Sequence, residues 1–178
     1  VSPNMQSAIT LVDDGNGGKM VDTTHIASAN SRGQYLLFGD LAAGSKYVVE
    51  FDMAFAASDS QGSQFAVLGS DYAYKEKNAN YGCESGYILK MDAPANAASW
   101  AITNSTKTIP TGIENMYHYK VVVNGTTAYL TVTKGSETVV DNEIMPVNGA
   151  GGIKGLYYVS GRYTAHMQID NIKLRKPT

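Results

Sequence analysis

Two carboxylates stand two residues apart in Lys46–Ala56, at Glu50 and Asp52. Alternate side chains of an extended strand share a face, so both project the same way, roughly 7 Å apart at a rise of ~3.4 Å per residue. That spacing suits acid–base work on a glycosidic bond, which needs a carboxyl pair flanking the scissile oxygen. The next position on the same face is Ala54, so no third acid follows. Hydrolytic serine or cysteine chemistry needs a base oriented beside its nucleophile. His25, His118 and His166 lie in no such motif, and Cys83 sits in a loop with no helix N-terminus to lower its pKa. His/Cys spacing for a metal is also absent. A polysaccharide lyase would use Lys, Arg or Tyr to neutralise a uronate and take its proton. Those residues are plentiful here, but no motif gathers them.

Recognition chemistry fits the residue types better. Sugars present C–H faces flanked by hydroxyls, and proteins meet them with aromatic rings and planar polar groups. The chain has twelve Tyr and one Trp. Its longest irregular segment, Ser70 to Ser85, holds Tyr72, Tyr74 and Tyr81 among polar residues, with Lys75 and Lys77 between them. A loop of this length is uncommon unless it is functional, which makes these five the expected recognition loop. Arg162 and Tyr163 follow Gly161, where the backbone can be approached closely. Tyr157 alternates away from Tyr158, so one of the two is expected outside the core. His118 and Lys120 alternate away from the apolar set and are expected to line a cleft. Trp100 is either a core ring or a stacking platform. Tyr47, Tyr87 and Tyr119 are read as structural, because strands use tyrosine heavily in their cores.

The dominant period is two, the period of strands. Tyr47, Val49, Phe51, Met53 and Phe55 share one face of Lys46–Ala56. Tyr117, Tyr119, Val121 and Val123 alternate in the same way, and Ala128, Leu130 and Val132 continue after Asn124-Gly125, which predicts a β-hairpin. Further strands are predicted over Ala8–Val12, Lys19–Asp22, Gln34–Phe38, Gln64–Gly69, Gly86–Asp92, Ser99–Thr103, Glu137–Val140, Ile153–Ser160 and His166–Arg175, separated by Gly-, Asn- and Ser-rich turns. Short strands at regular spacing, with no helical stripe, predict an all-β fold: a two-sheet antiparallel β-sandwich of the jelly-roll kind, one domain over 1–178.

Composition narrows the partners. Charged residues are 17% of the chain and the net charge is −2, with no basic stripe to neutralise phosphates, so nucleic acid is not expected as a partner. No apolar run is long enough to form a membrane helix. Cys83 is the sole cysteine, which excludes an intrachain disulfide framework.

The segments Tyr47-Val-Val-Glu-Phe-Asp-Met-Ala-Phe55, Tyr117-His-Tyr-Lys-Val-Val-Val-Asn-Gly125 and Ile169-Asp-Asn-Ile-Lys-Leu174 resemble, in order and spacing, the strands of β-sandwich carbohydrate-binding modules of the concanavalin and laminin-G kind. The resemblance covers most of the chain from residue 30 onward. It implies a non-catalytic, monomeric, secreted module, cut from a larger multimodular protein and appended to bacterial plant cell-wall enzymes such as pectate lyases. The implied partner is a polysaccharide: pectin, or a neutral β-glucan, xyloglucan, xylan or mannan. It also implies a structural calcium, with Asp170 as ligand and Asp13 or Asp22 as guesses for a second acid; the alternative is Asp170 bonding loop backbone without metal. Laminarinase-like glucanases carry a related strand motif, Glu-x-Asp-x-x-Glu or Glu-x-Asp-x-Glu, whose last acid is replaced here by Phe55 or Ala54. A small sandwich lyase or glycosidase, and an adhesive sandwich, stand as alternatives.

Overall fold

A computed structural model describes residues 9–24, 32–38, 46–59, 62–73, 83, 85–147, 152–160 and 166–177. These form thirteen strands: β1 (Ile9–Asp13), β2 (Lys19–Thr24), β3 (Arg32–Leu37), β4 (Lys46–Ala56), β5 (Ser63–Gly69), β6 (Tyr87–Ala93), β7 (Ser99–Ile102), β8 (Thr108–Pro110), β9 (Gly112–Asn124), β10 (Thr127–Lys134), β11 (Glu137–Pro146), β12 (Ile153–Ser160) and β13 (His166–Arg175). A seven-stranded sheet runs β1-β2-β13-β4-β9-β10-β11, and a six-stranded sheet runs β3-β12-β5-β6-β7-β8. Every ladder is antiparallel. The fold is the expected two-sheet antiparallel sandwich.

Alternation dictates which face is covered. Val49, Phe51, Met53 and Phe55 of β4, with Tyr119, Val121 and Val123 of β9, point inward and are buried against Phe65, Val67, Leu89 and Met91 of the opposite sheet. Each such side chain removed from water contributes about 1.5–3 kcal/mol. Rings lock the middle: Phe51 stacks on Tyr119 at 5.0 Å between centroids and meets Phe65 at 5.4 Å. Trp100 lies 3.9 Å from Phe55.

The predicted hairpin is present, shifted by one residue. Asn124 pairs with Thr127, so the turn is Gly125-Thr126, with Gly125 at φ 62°. A positive φ confined to the first turn residue is what a type II′ hairpin requires, and glycine adopts it without steric cost. Some features were not predicted. β8 is a three-residue edge strand, and β11 continues six residues past Val140. β13 also carries a bulge: Asp170 faces Asp52 and Lys173 faces Glu50, so one extra residue is inserted opposite β4. Asn171 takes the left-handed conformation there, at φ 50°. The bulge returns Ile172 and Leu174 to the core side and leaves Asn171, Lys173 and Arg175 exposed.

Candidate functional site

The solvent face of the seven-stranded sheet is where polar side chains gather. Register places them in rows across the strands: Asp170, Asp52, His118 and Thr133; then Lys173, Glu50, Lys120 and Thr131; then Arg175, Val48, Val122, Tyr129 and Ile144. Cross-strand neighbours on one face stand about 4.5–5.5 Å apart, close enough for one ligand to touch several.

His118 ties the carboxyl pair together. Its Nδ1 lies 2.7 Å from Asp52 Oδ1 and its Nε2 lies 3.2 Å from Glu50 Oε1. Asn171 Nδ2 donates to Asp52 Oδ2 at 2.8 Å, and Arg175 Nη2 donates to Glu50 Oε2 at 3.4 Å. Carboxylates only accept, so a ring with both nitrogens as donors satisfies this arrangement completely. Partial burial pushes Glu50 up, but hydrogen bonds from His118 and Arg175 outweigh it and hold the carboxyl below its ordinary value of 4.5. A carboxyl held low is ionised at neutral pH and is the wrong form for a general acid, which needs its pKa raised. The third position, Ala54, is buried and contributes no acid. The neighbours of His118 on β9 offer no base either. Tyr117 and Tyr119 face the core, and burial pushes both phenols up. A second knot lies on the same face, where His166 Nε2 and Gln168 Nε2 both engage Asp22 Oδ2.

A few residues away the face opens into a recess of about 220 Å³ lined by Lys46, Val122, Asn124, Tyr129 and Asn142. A second, smaller recess is different in kind. It is an apolar recess of about 130 Å³ at the gap between the sheets, walled by side chains such as Val21, Phe65, Met167 and Ile169, and offers little for a hydroxylated ligand. Tyr129, Lys46, Asn124 and Asn142 were not singled out from sequence. The available signal was strand phase, since Tyr129 alternates with the buried Ala128 and Leu130.

Several expected site residues lie elsewhere. Trp100 is 1% exposed against Phe55, which settles it as a core ring and corrects the stacking-platform alternative. Tyr72 and Tyr157, each 3% exposed, are also corrected: both are buried, in a second apolar cluster with Ala66, Leu68, Cys83, Tyr87 and Val159 on the outer face of the six-stranded sheet. Tyr158 is buried in the main core, so the pair divides between two buried clusters rather than between core and water. The described ends of the expected recognition loop are packed down. Ser70 N–H donates to Gly152 O at 2.9 Å, Lys154 Nζ donates to Tyr72 O at 2.7 Å, and Gly86 approaches Tyr72 so closely that a Cβ there would meet its Cα at 2.7 Å. Tyr74, Lys75, Lys77, Tyr81, Arg162 and Tyr163 lie outside the described residues. His118 and Lys120 are on the open face, half-buried, and share it with Asp170.

Among the described residues Asp170 and the two acids expected beside it are engaged separately. Asp170 Oδ1 accepts the Asn171 N–H at 2.7 Å, a bond within the bulge. Asp13 pairs with Lys19, and Asp22 is taken by His166 and Gln168. Calcium needs six or more converging oxygens. Among the described residues no group of three His, Cys, Asp or Glu side chains is placed to hold a metal ion.

No protein-family model and no curated protein matches this chain. Solved structures do match in fold. The chain is similar to lectin I-B4 from Griffonia simplicifolia, at TM-score 0.53 and 8% identity over 99% of this chain and 96% of that one. It is similar to the exoplasmic domain of VIP36 in its Ca²⁺/Man3GlcNAc-bound form, at TM-score 0.55 and 8% identity over 96% and 81%. It is also similar to the alginate lyase AlyC3, at TM-score 0.51 and 6% identity over 88% and 75%. The architecture is therefore a lectin-like β-sandwich, a fold that hosts both binding proteins and enzymes.

Proposed function

We propose that this chain is a non-catalytic carbohydrate-binding module that holds a polysaccharide on the solvent face of its seven-stranded sheet. The observation that supports it most is the state of that face. It is open and lined with hydroxyls, carboxamides and an accessible tyrosine, while its Glu50–Asp52 pair is bridged by His118 and is followed on β4 by Ala54 rather than by an acid. Sugars are held by such groups without a reacting constellation. The lectin-like sandwich agrees with that reading, and VIP36 is a neighbour whose structure contains a mannose-bearing glycan. In this proposal the module is secreted by a bacterium and is part of a larger protein, where it brings an appended enzyme to plant cell-wall polysaccharide.

Affinity electrophoresis against pectins, β-glucan, xyloglucan, xylan and mannan tests binding. Parallel assays for reducing ends and for unsaturated uronates test catalysis. Retardation by at least one glycan with no new ends is expected. New ends or unsaturated products would move the assignment to a glycosidase or lyase, and no retardation by any glycan would remove the sugar-binding reading.

A further inference from the structure

Lys46, Asn124, Tyr129 and Asn142 converge on one open recess, and each reaches it for a backbone reason. Lys46 and Asn124 face each other across β4 and β9, where Asn124 is the last strand residue before the Gly125-Thr126 turn. Tyr129 stands on the adjoining strand opposite Val122, with Ile144 of β11 on its other side. Asn142 takes φ 45° at an irregularity of the β10–β11 ladder, and its N–H donates to Thr131 Oγ1 at 3.2 Å. That fixes its backbone beside Tyr129 and leaves the carboxamide on the rim of the recess. Ile144, 61% exposed, extends the apolar floor beyond the tyrosine.

Each part matches one part of a sugar. The Tyr129 ring, with Val122 and Ile144, offers an apolar surface for a pyranose C–H face. The two carboxamides each donate and accept, as vicinal hydroxyls require. Lys46 supplies a cation, and among the described residues no carboxylate lines the recess. Among the described residues Lys46, Lys120 and Lys173 form no ion pair, whereas Glu50 and Asp52 are already engaged by His118, Arg175 and Asn171. The Lys46 ammonium beside an aromatic platform favours an anionic chain over a neutral one, because charge-assisted bonds to carboxylate are the stronger kind.

We infer that this recess is the principal sugar subsite and that it takes a uronate residue, with the pyranose on Tyr129 and its carboxylate at Lys46. The inference rests on the carbohydrate-binding reading above and deepens it to a ligand class and a place.

The test uses affinity electrophoresis and calorimetry with polygalacturonate, a sulfated galactan, and neutral β-glucan and xyloglucan, on the wild-type chain and on Lys46→Ala, Tyr129→Ala and Tyr129→Phe. Emission of the buried Trp100 checks that each variant is folded. Binding to polygalacturonate is expected, weakened by added salt, with Lys46→Ala and Tyr129→Ala each lowering affinity by about tenfold and Tyr129→Phe retaining most of it. Should Tyr129→Ala fail to fold, Lys46→Ala alone decides, since Lys46 is exposed. Polygalacturonate binding unchanged in Lys46→Ala would overturn the subsite while leaving the sugar-binding reading intact. Salt-insensitive binding to neutral glycans alone would overturn the uronate, and preference for the sulfated galactan would replace it with a sulfate ester. A wild-type chain that binds no glycan would overturn both the subsite and the reading beneath it.

Discussion

Removing the bridge between Glu50 and Asp52 has a calculable effect. In His118→Ala the two carboxylates remain on one strand face with Arg175 and Asn171 as their remaining hydrogen-bond partners. Two unit charges roughly 7 Å apart repel by about 2 kcal/mol at the effective dielectric of a protein surface, reduced to about 1 kcal/mol by physiological salt. Loss of two charge-assisted hydrogen bonds at a side chain 43% exposed adds about 1 kcal/mol more. The total of about 2 kcal/mol corresponds to a fall of about 4–8 °C in Tm for a domain of this size. The pH dependence follows from Glu50. Its folded pKa lies below the ordinary 4.5, so the stabilisation is complete above that value and is lost as the pH falls through the folded one. Urea unfolding followed by Trp100 emission, in wild type and His118→Ala, should give the full difference at pH 5.5 and a clearly smaller one at pH 3. An equal difference at both values, or a more stable variant, would refute the reasoning.

Three other substitutions test the packing. Trp100→Ala should cost about 3–5 kcal/mol in urea unfolding, and Trp100 emission in the wild type should stay unchanged on saturation with a bound glycan, because the ring is internal. Gly86→Ala places a Cβ against the Tyr72 backbone at a φ of 75°, so it should destabilise by about 2 kcal/mol and expose Cys83, read as faster reaction with a thiol reagent than in the wild type, where the thiol is buried. Asn171→Val should destabilise by about 1–2 kcal/mol through its left-handed φ, while Asn171→Gly should change stability little, both measured by thermal unfolding.

Strand phase carried most of the fold. Where apolar and polar residues alternate without interruption, as in β4, the boundaries and the inward face follow from the residues alone; in β9 the inward face follows, but the strand starts at Gly112, ahead of the alternating run expected over Met116–Asn124. Three places behaved differently for physical reasons. β8 has three residues, too few for a period to register, and exists because Trp100 pairs across to Ile109. The bulge in β13 was written in the chain as a phase slip, with apolar positions 167 and 169 followed by 172 and 174, but the segment was read as a uniform strand. The Ser70–Ser85 loop was read as a ligand loop because its tyrosines have no period. Tyr72 and Cys83 instead cover the outer face of the six-stranded sheet, where Ala66, Leu68 and Tyr157 need covering. Sequence cannot show that a sheet has a second apolar face waiting for its own loop. For the same reason Trp100 was left between core and surface until its neighbour Phe55 was known. The site itself was half legible: His118 and Lys120 were placed on the open face by alternation. The recess around Tyr129 depends on a turn and a ladder irregularity that bring four separate residues together.

The account rests on one surface holding sugar. Backbone ¹H–¹⁵N spectra of the labelled chain, titrated with oligogalacturonides while the same sample is assayed for unsaturated and reducing ends, examine it most directly. Shifts should concentrate on the outward residues of β4, β9, β10 and β11, at Lys46, Lys120, Asn124, Tyr129 and Asn142, with no product formed. Shifts confined to the six-stranded sheet and its covering loop, or the appearance of cleaved ends, would contradict it.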